Sequence, residues 1–252
     1  MSFDVAATSY DRFMGRFSRP LSVEFADWVG VRPGQAALDV GCGPGALTEV
    51  LSDRLGAASV AAVDPSEPFV AAIRERLPDV VVMQASAEQL PFGDQTFDIA
   101  VAQLVVHFMT DPLLGVTELR RVTRTGGVVA VNVWDFEGGR SPHSTLFAAL
   151  VSVVPDADDE AGRVGARRGD LAALLQQAGC RDIEQAELEV TVTSPTFEDW
   201  WEPYTLGVGP AGAQLAALDA ATRESVRRRC RELFESGPIT TTATAWAAKG
   251  FR

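Results

Sequence analysis

The chain has 252 residues, of which 46% are hydrophobic and 22% charged, a composition typical of a folded globular protein rather than a disordered one. Its 22 Lys and Arg residues against 34 Asp and Glu residues give a formal net charge of -12. Such an acidic surface repels phosphate backbones, which disfavours nucleic acid as the main partner. Three widely spaced cysteines, Cys42, Cys180 and Cys230, fit neither a disulfide framework nor a zinc site and are typical of a reducing cytoplasm.

The sequence also predicts a protein without a membrane partner. Its N-terminal residues have neither the basic start nor the apolar run of a secretory signal. The longest uncharged stretches, Ser141–Pro155 and Pro203–Leu218, are shorter than the roughly 20 residues of a membrane-spanning helix. We therefore expect a cytoplasmic protein, either a monomer or a homodimer.

From about Gly34, short apolar runs alternate with amphipathic stretches, which is the pattern of βαβ units and a parallel sheet. The amphipathic stretches begin near Ala46, Pro65, Glu88 and Pro112. Pro65 is expected in the first turn of its helix, where a proline loses no hydrogen bond. The runs predicted as strands are Ala36–Val40, Ser59–Val63, Val80–Met83, Phe97–Ala102 and Val128–Trp134.

The second half of the chain has a different pattern, with one apolar helix, two further helices and two further strands. We found no internal repeat and no linker that divides it into independent domains. The predicted elements are helices over Ser141–Pro155, Asp170–Ala178 and Ala216–Glu235, and strands near Ile183–Thr193 and over Ile239–Ala248.

The strongest motif is Leu38-Asp39-Val40-Gly41-Cys42-Gly43-Pro44-Gly45, which ends the first predicted strand and opens a helix. Glycines there let the backbone approach a ligand closely, and the helix N-terminus supplies unpaired N–H groups. Asp64 ends the second strand about 20 residues further on, where a carboxylate can accept hydrogen bonds from both ribose hydroxyls. Together the two features predict a nucleoside site.

These two features alone leave a dehydrogenase and a methyltransferase open. Gly41, Gly43 and Ala46 also satisfy the G-x-G-x-x-G/A pattern of dinucleotide-binding loops, and Asp64 would serve the ribose of NAD equally well. Asp39 argues for the second class, because it places an acid inside a strand that is normally apolar in dinucleotide-binding proteins. That carboxylate can hold a ligand ammonium, whereas it would repel a pyrophosphate.

The second feature that favours a methyltransferase is Ala85-Ser86-Ala87-Glu88-Gln89-Leu90-Pro91-Phe92, which follows the third predicted strand. In order, LDVGCGPG, AVDPS, SAEQLPF with FDIAVAQ, and RRVTRTGGVVAV resemble the class I S-adenosylmethionine (SAM)-dependent methyltransferases of the small-molecule type, with a methyltransferase type 11-like domain. The resemblance is strong from Gly34 to Trp134 and weaker at Leu171–Ile183. It implies an α/β, Rossmann-like fold whose seven-stranded sheet is mostly parallel, with an antiparallel last strand and helical cap insertions.

The resemblance further implies SAM as cofactor and methyl transfer to an O, N or C nucleophile of a small-molecule metabolite, releasing S-adenosylhomocysteine. The glycine loop would surround the methionine part, Asp64 would bind the ribose, Ala87 and Glu88 would border the adenine, and Gln103 would touch the methionine or methyl end. The residues expected to bind the cofactor are Asp39, Gly41, Cys42, Gly43, Gly45, Asp64, Pro65, Ser86, Ala87, Glu88, Gln103 and Tyr10.

His107 follows the fourth strand and is the candidate catalytic base, since an imidazole can deprotonate a nucleophile near neutral pH. Its alternative role is to shape the pocket. His143 has no supporting context and is expected on the surface or in a lid. We expect no metal-ligating cluster. The candidate substrate-pocket residues, for which core packing is the alternative, are His107, Trp134, Phe136, Trp200, Trp201 and Tyr204.

The predicted organisation is a single methyltransferase domain over residues 1–252. Residues 1–33 form an N-terminal helical lid and residues 34–135 the cofactor-binding core. Residues 136–169 and 195–236 are cap insertions, and residues 170–194 and 237–252 complete the sheet. Two other functions stay open at this point, an NAD-dependent oxidoreductase and a non-catalytic methyltransferase-like binding or interaction protein.

Overall fold

The computed structural model describes residues 7–252 of the chain. One seven-stranded sheet runs through its centre, and the strands agree with the predicted ones to within a few residues at most ends. They are β1 (Ala37–Val40), β2 (Val60–Asp64), β3 (Val81–Gln84), β4 (Phe97–Gln103), β5 (Thr123–Trp134), β6 (Arg181–Ser194) and β7 (Ile239–Phe251).

The strand order is β3-β2-β1-β4-β5-β7-β6. Strands β1 to β5 are mutually parallel, whereas β7 runs antiparallel to both β5 and β6. All residues of β1 and β2 are buried, as expected for parallel strands that are covered on both faces. The predicted Rossmann-like sheet with an antiparallel last strand is therefore confirmed.

Ten α-helices accompany the sheet in the described part of the chain, and a π-helical segment, Asp11–Gly15, joins the first two. None of the described helices is long and apolar enough to cross a membrane. The helices are α1 (Ala7–Tyr10), α2 (Arg16–Val29), α3 (Ala46–Leu55), α4 (Glu67–Arg76), α5 (Pro112–Val122), α6 (Ser144–Val153), α7 (Asp170–Gln177), α8 (Phe197–Trp201), α9 (Gly209–Ala217) and α10 (Ala220–Glu232).

The position of the site follows from a reversal in strand order. The chain proceeds outward from β1 to β3 and then returns to place β4 on the other side of β1. Because parallel crossovers are right-handed, this reversal puts the helices of the two halves on opposite faces. Accordingly α2 packs on α3, and α7 packs on α5. A crevice opens between the carboxyl ends of β1 and β4, which is where α/β proteins bind ligands.

Two local predictions are wrong in the first half of the chain. No helix begins near Glu88, and the segment between β3 and β4 consists of turns, because Pro91 and Gly93 interrupt it. Pro65 precedes helix α4 rather than entering its first turn. Ser66 is the N-cap of that helix, and Pro68 occupies the first turn instead.

In the second half, the single helix predicted over Ala216–Glu235 is two helices, α9 and α10. Asp219 separates them by accepting hydrogen bonds from the backbone nitrogens of Ala221 and Thr222 at the start of α10. A carboxylate cap of this kind satisfies the donors of a new first turn. Helix α6 packs against α10, so the two inserted regions contact each other.

Candidate active site

The glycine loop between β1 and α3 has a backbone that larger residues would distort. Gly41, Gly43 and Gly45 all have positive φ angles, of 70°, 53° and 94°. A Cβ on Gly41 would overlap the methyl groups of Val105, and one on Gly45 would lie 3.0 Å from Cγ1 of Ile73. A Cβ on Gly43 would meet nothing within 4 Å. The loop therefore lies tightly against Val105, just after β4, and against α4, but leaves open space at Gly43.

Asp64, at the end of β2, holds this loop in place. Its Oδ2 accepts a hydrogen bond of 2.8 Å from the backbone nitrogen of Gly43, and its Oδ1 accepts one of 2.8 Å from that of Ser66. Burial raises the pKa of the carboxyl group, while these two N–H groups lower it. Each carboxylate oxygen has a second acceptor site, so Asp64 can still receive a ligand hydroxyl.

Asp39 lies inside β1 and is 1% exposed. Its Oδ2 accepts a 2.6 Å hydrogen bond from the hydroxyl of Thr48 on α3. Burial, opposed by the hydrogen bonds of Thr48 and helped by the nearby charge of Asp64, raises the pKa of Asp39 to about 7. A cation bound beside this carboxyl group would favour its ionised form.

Three adjoining pockets form one cleft along the carboxyl end of the sheet. The loop pocket is lined by the glycine loop and Asp39, the central pocket by Asp64, Pro65 and Phe69, and the aromatic pocket by rings from the two inserted regions and the N-terminal helices. Counting the space open to solvent, their empty volumes are about 320, 470 and 410 Å³. Tyr10 and Leu104 line all three.

Gln103, the last residue of β4, lies where the loop pocket meets the central pocket. Its Nε2 donates to Oγ of Ser22 at 2.8 Å and to the carbonyl oxygen of Ser18 at 3.2 Å. The Oε1 of Gln103 and the hydroxyl of Ser18 are buried without a hydrogen-bond partner in residues 7–252. Because buried polar atoms are normally paired, this corner of the cleft fits a polar ligand group such as an ammonium.

The aromatic pocket contains both histidines of the protein. The ring of His143 stacks on Phe13 with 4.7 Å between centroids, and the ring of His107 lies 5.6 Å from that of Phe136. Burial lowers the pKa of each histidine to about 3, with further lowering by the charges of Arg163 and His143 at His107, and of Arg16 at His143. Both imidazoles are therefore neutral at pH 7.

Several polar atoms in the aromatic pocket have unmet hydrogen-bonding capacity. The Nδ1 atoms of His107 and His143 and the Nε1 of Trp134 have no hydrogen-bond partner among the described residues. Glu160, which is 2% exposed, also lines this pocket. Its Oε1 lies 3.1 Å from Nε of Arg163 in an ion pair whose angle does not fit a hydrogen bond.

The structure brings together most of the residues that we expected to bind a cofactor. Those that line the loop or central pocket are Tyr10, Asp39, Gly41, Cys42, Gly43, Asp64, Pro65 and Gln103. Within the described chain, Gly45 faces α4 instead, and Ser86, Ala87 and Glu88 do not line these three pockets. The carboxylate of Glu88 accepts hydrogen bonds from the backbone nitrogens of Thr110 and Asp111.

The expected substrate-pocket residues divide into two groups. His107, Trp134 and Phe136 line the aromatic pocket. Trp200 and Trp201 do not, because they are buried in the cap beside Phe197. Tyr204 lies behind the wall, with its ring 5.6 Å from those of both Phe13 and His143 and its hydroxyl donating to the carbonyl of Pro142.

The sequence did not reveal several residues of the cleft. His143 was expected on the surface or in a lid, and the surface position is wrong because the residue is 3% exposed in the pocket wall. Glu160 lies in a polar, glycine-containing connection whose pattern gives no sign of burial. Phe13 and Met14 belong to the segment that was expected to form the N-terminal lid. Other lining residues outside the expected sets include Ser18, Leu47, Phe69, Leu104, Val105, Phe108, Gly209, Pro210 and Ala211. In residues 7–252 no group of three or more His, Cys, Asp or Glu side chains is arranged to hold a metal ion.

Comparison with known proteins gives a consistent result. Residues 38–131 match the model of a methyltransferase domain. An uncharacterized methyltransferase of Mycobacterium bovis is 34% identical over 135 residues, which are 54% of this chain and 52% of that protein. The chain therefore matches about half the length of this relative. A malonyl-[acyl-carrier protein] O-methyltransferase of Geobacter sulfurreducens is 31% identical over 201 residues, or 77% of this chain and 73% of that protein.

Among solved structures, phosphoethanolamine N-methyltransferase 2 of Haemonchus contortus, in complex with phosphomonomethylethanolamine and S-adenosylhomocysteine, has a TM-score of 0.62. It is 16% identical, and the alignment covers 98% of this chain and 56% of that one. At this identity the likeness shows a shared fold. Together with the sequence identity to the Geobacter enzyme over most of both chains, it shows that the chain belongs to the class I SAM-dependent methyltransferase family.

Proposed function

We propose that this protein transfers a methyl group from SAM to an O, N or C nucleophile of a small-molecule metabolite and releases S-adenosylhomocysteine. The observation that carries the proposal is the continuity of the cleft. A nucleoside-type site, built from the glycine loop and Asp64, adjoins an aromatic pocket across the shared residues Tyr10 and Leu104. A donor and an acceptor can therefore be held side by side.

The polar groups of the cleft match the parts of SAM. The carboxyl group of Asp39 and the unpaired Oε1 of Gln103 are suited to its ammonium group, and Asp64 to its ribose hydroxyls. Ala87 and Glu88 follow β3, which neighbours β2, and we propose that the adenine extends from Asp64 toward them. SAM, when bound, supplies an electrophilic methyl group on a positively charged sulfur.

We propose that the protein promotes the reaction by aligning the nucleophile with the methyl donor and by excluding water from the cleft. Displacement at a sulfonium methyl needs an in-line arrangement of nucleophile and donor, which two adjoining pockets can provide. Tyr10, Leu104 and Phe108 line both the central and the aromatic pocket and so enclose the region where these pockets meet. His107 lines the acceptor side, where we propose that it orients the substrate. We also propose that this chemistry takes place in the cytoplasm.

The first test is calorimetric titration of the purified protein with S-adenosylhomocysteine, and with NAD and NADH in parallel. We expect micromolar binding of S-adenosylhomocysteine and no binding of either nicotinamide cofactor. Binding of NAD or NADH alone would contradict the proposal and favour an oxidoreductase. Failure of all three to bind would favour a non-catalytic interaction protein. Transfer of a radiolabelled methyl group from SAM to a metabolite mixture then tests for turnover.

A further inference from the structure

Glu160 is an unusual residue for the wall of an aromatic pocket. It is a carboxylic acid with a side chain that is 3% exposed, among the rings of Phe13, Trp134 and Phe136. Burying a carboxylate costs free energy unless partners compensate it. Arg163 is its ion-pair partner, at 3.1 Å. The pair makes the burial tolerable, but it does not explain why an acid lies there.

The backbone at Glu160 is strained. Four non-glycine residues in the described chain have positive φ angles, namely Gln95, Leu104, Glu160 and Asp182. Two of the four, Leu104 at 60° and Glu160 at 65°, line the aromatic pocket. Such strain persists only where the surrounding structure enforces it, and it concentrates at functional sites.

The surrounding contacts hold Glu160 in this conformation. Its backbone nitrogen donates to Oδ1 of Asp158 at 2.9 Å. Asp158 is in turn fixed to helix α9, because its backbone nitrogen and oxygen both hydrogen-bond to the side-chain amide of Gln214, at 2.9 and 2.8 Å. Arg163 bridges the carboxylates of Asp158 and Glu160. The acid is therefore presented to the pocket by a rigid framework.

The aromatic pocket as a whole carries little charge. Among its described lining residues, Glu160 is the single acidic or basic side chain apart from the histidines, and Arg163 balances it. Both histidines are neutral at pH 7 because their pKa values are about 3. An anionic ligand would lose its hydration here without gaining a counter-charge, and a cationic ligand would have to compete with Arg163 for the carboxylate of Glu160. An uncharged, mainly apolar ligand would instead bury its surface against the rings and pair with the unpartnered atoms of Trp134 and the histidines.

Building on the proposed methyltransferase function, we infer that the acceptor is an uncharged, largely apolar molecule whose hydroxyl group hydrogen-bonds to Glu160, and that Glu160 takes the proton of this hydroxyl. The acceptor oxygen forms its bond to the methyl carbon as the sulfur–methyl bond breaks, and the sulfur keeps that electron pair. The hydroxyl proton passes to the carboxylate and then to solvent. The products are a methyl ether, S-adenosylhomocysteine and a proton.

The pKa values of the titratable groups in the aromatic pocket agree with Glu160 acting as the base. Burial raises the pKa of Glu160 to about 7, and the charges of Asp158 and Asp159 add to the effect of burial while Arg163 opposes it. A base is most effective when its pKa is close to the working pH. The other titratable groups on this pocket are His107, His143 and Tyr10. The histidines hold a proton poorly at pH 7, and burial raises the pKa of Tyr10.

A binding experiment tests the acceptor class without requiring turnover. The protein saturated with S-adenosylhomocysteine is titrated calorimetrically with 2-naphthol, 2-naphthoate and 2-naphthylmethylammonium, which share a ring system and differ in charge. We expect 2-naphthol to bind at least tenfold more tightly than either charged compound. Equal or tighter binding of a charged compound, or no binding of 2-naphthol, would overturn the inference. If S-adenosylhomocysteine itself fails to bind, the proposed function is wrong instead.

A kinetic experiment tests the proton transfer. Glu160→Gln keeps the size of the side chain but removes the base, so we expect kcat for methylation of 2-naphthol to fall about 100-fold, a typical loss for a general base. KM and the Kd of S-adenosylhomocysteine should stay within threefold of wild type. Wild-type kcat should rise with pH to a plateau above about 7, and the variant should lack this rise.

Glu224→Gln, an exposed change on α10, is the matched control and should behave as wild type. If Glu160→Gln fails to fold, Glu160→Asp replaces it, and the shortened acid should lower kcat while the pH-dependent rise remains. Unchanged kcat in Glu160→Gln, or an equal loss of S-adenosylhomocysteine affinity and kcat, would overturn the role of Glu160. Absence of 2-naphthol methylation despite binding of both ligands would overturn it as well.

Discussion

The two ends of the cleft are built in different ways. The loop end comes mainly from one continuous segment, residues 39–47, and uses backbone geometry and two carboxyl groups, those of Asp39 and Asp64. The aromatic pocket instead draws side chains from four separate regions, residues 10–14, 104–108, 134–160 and 209–211. A short motif is enough to define the first, whereas the second exists only after the cap has folded over the sheet.

Because of this difference in construction, the two ends of the cleft should differ in the substitutions that they tolerate. A glycine loop with positive φ angles allows few substitutions, because any side chain strains its backbone. A pocket of packed rings can change shape through individual side chains while the sheet beneath it stays the same. We therefore expect the loop end to tolerate fewer substitutions than the aromatic pocket. The following experiments test this contrast.

The largest effect is expected for Gly41→Ala, at the loop end. A Cβ there would overlap Val105, and alanine at a φ of 70° is strained. Strain and overlap together should lower the free energy of unfolding by about 3 kcal/mol, or Tm by roughly 6–12 °C. Thermal melts followed by circular dichroism measure this.

Gly43→Ala is the control, with strain but no overlap, and should lose only ~1 kcal/mol of unfolding free energy. Equal losses in both variants would contradict the tight packing of Gly41.

The second-largest effect is expected for Asp64→Ala, which should weaken the binding of the cofactor. The substitution removes the proposed acceptor for the ribose hydroxyls and also releases Gly43 and Ser66 from their hydrogen bonds to the carboxylate. We expect the binding of S-adenosylhomocysteine to weaken by at least ~1.5 kcal/mol, more than tenfold. Calorimetry is the measurement. Unchanged affinity would show that the ribose does not bind at Asp64.

Asp39→Asn should separate stability from binding. The pKa of Asp39 is about 7 in the folded protein against 3.8 for a free side chain, so the folded state holds this proton more tightly and loses stability as pH rises through this interval. Asparagine cannot ionise, so the variant should not lose stability in this way as pH rises. At pH 8 its Tm should therefore exceed that of wild type, by about 2 °C for each ~1 kcal/mol by which its free energy of unfolding is the larger. At pH 5 the difference should be smaller. Melts at the two pH values decide this.

The raised pKa of Asp39 also predicts how cofactor binding depends on pH. The ammonium of S-adenosylhomocysteine favours the ionised carboxyl group, so wild-type affinity should increase between pH 6 and pH 8. Asp64, whose pKa is also raised by burial, is retained in the variant and accounts for any remaining slope. Asp39→Asn should therefore bind more weakly and show a flatter pH dependence. A slope equal to that of wild type would remove Asp39 from the ammonium site.

The smallest effect on the cofactor is expected for His107→Ala, in the aromatic pocket. The imidazole is neutral at pH 7, so its removal changes no charge near the donor site. Affinity for S-adenosylhomocysteine should stay within threefold, or ~0.6 kcal/mol. Binding of 2-naphthol should weaken severalfold, because one wall of its pocket is lost. A large loss of cofactor affinity would show that the two ends of the cleft are less separate than their construction indicates.

The same contrast explains how far the sequence could predict the molecule. The strands and the glycine loop are local patterns, and Asp39, Gly43 and Asp64 are recognisable by their position at strand ends. Glu160 and His143 are not, because their burial depends on α9, Phe13 and other parts of the chain that are distant in sequence. Trp200 and Trp201 show the converse, since they were candidates for the substrate pocket but follow the alternative of core packing, buried beside Phe197.

Tyr10 gives the cleft one more property. Its ring contacts Phe69 edge to face at 5.4 Å and lines the loop, central and aromatic pockets alike. One side chain is thus a boundary for both ligands, and any shift of Tyr10 that one ligand favours changes the free energy of binding the other. Thermodynamic linkage requires this influence to be equal in both directions. If both ligands bind as proposed, the acceptor should alter the cofactor's Kd by the same factor as the cofactor alters the acceptor's.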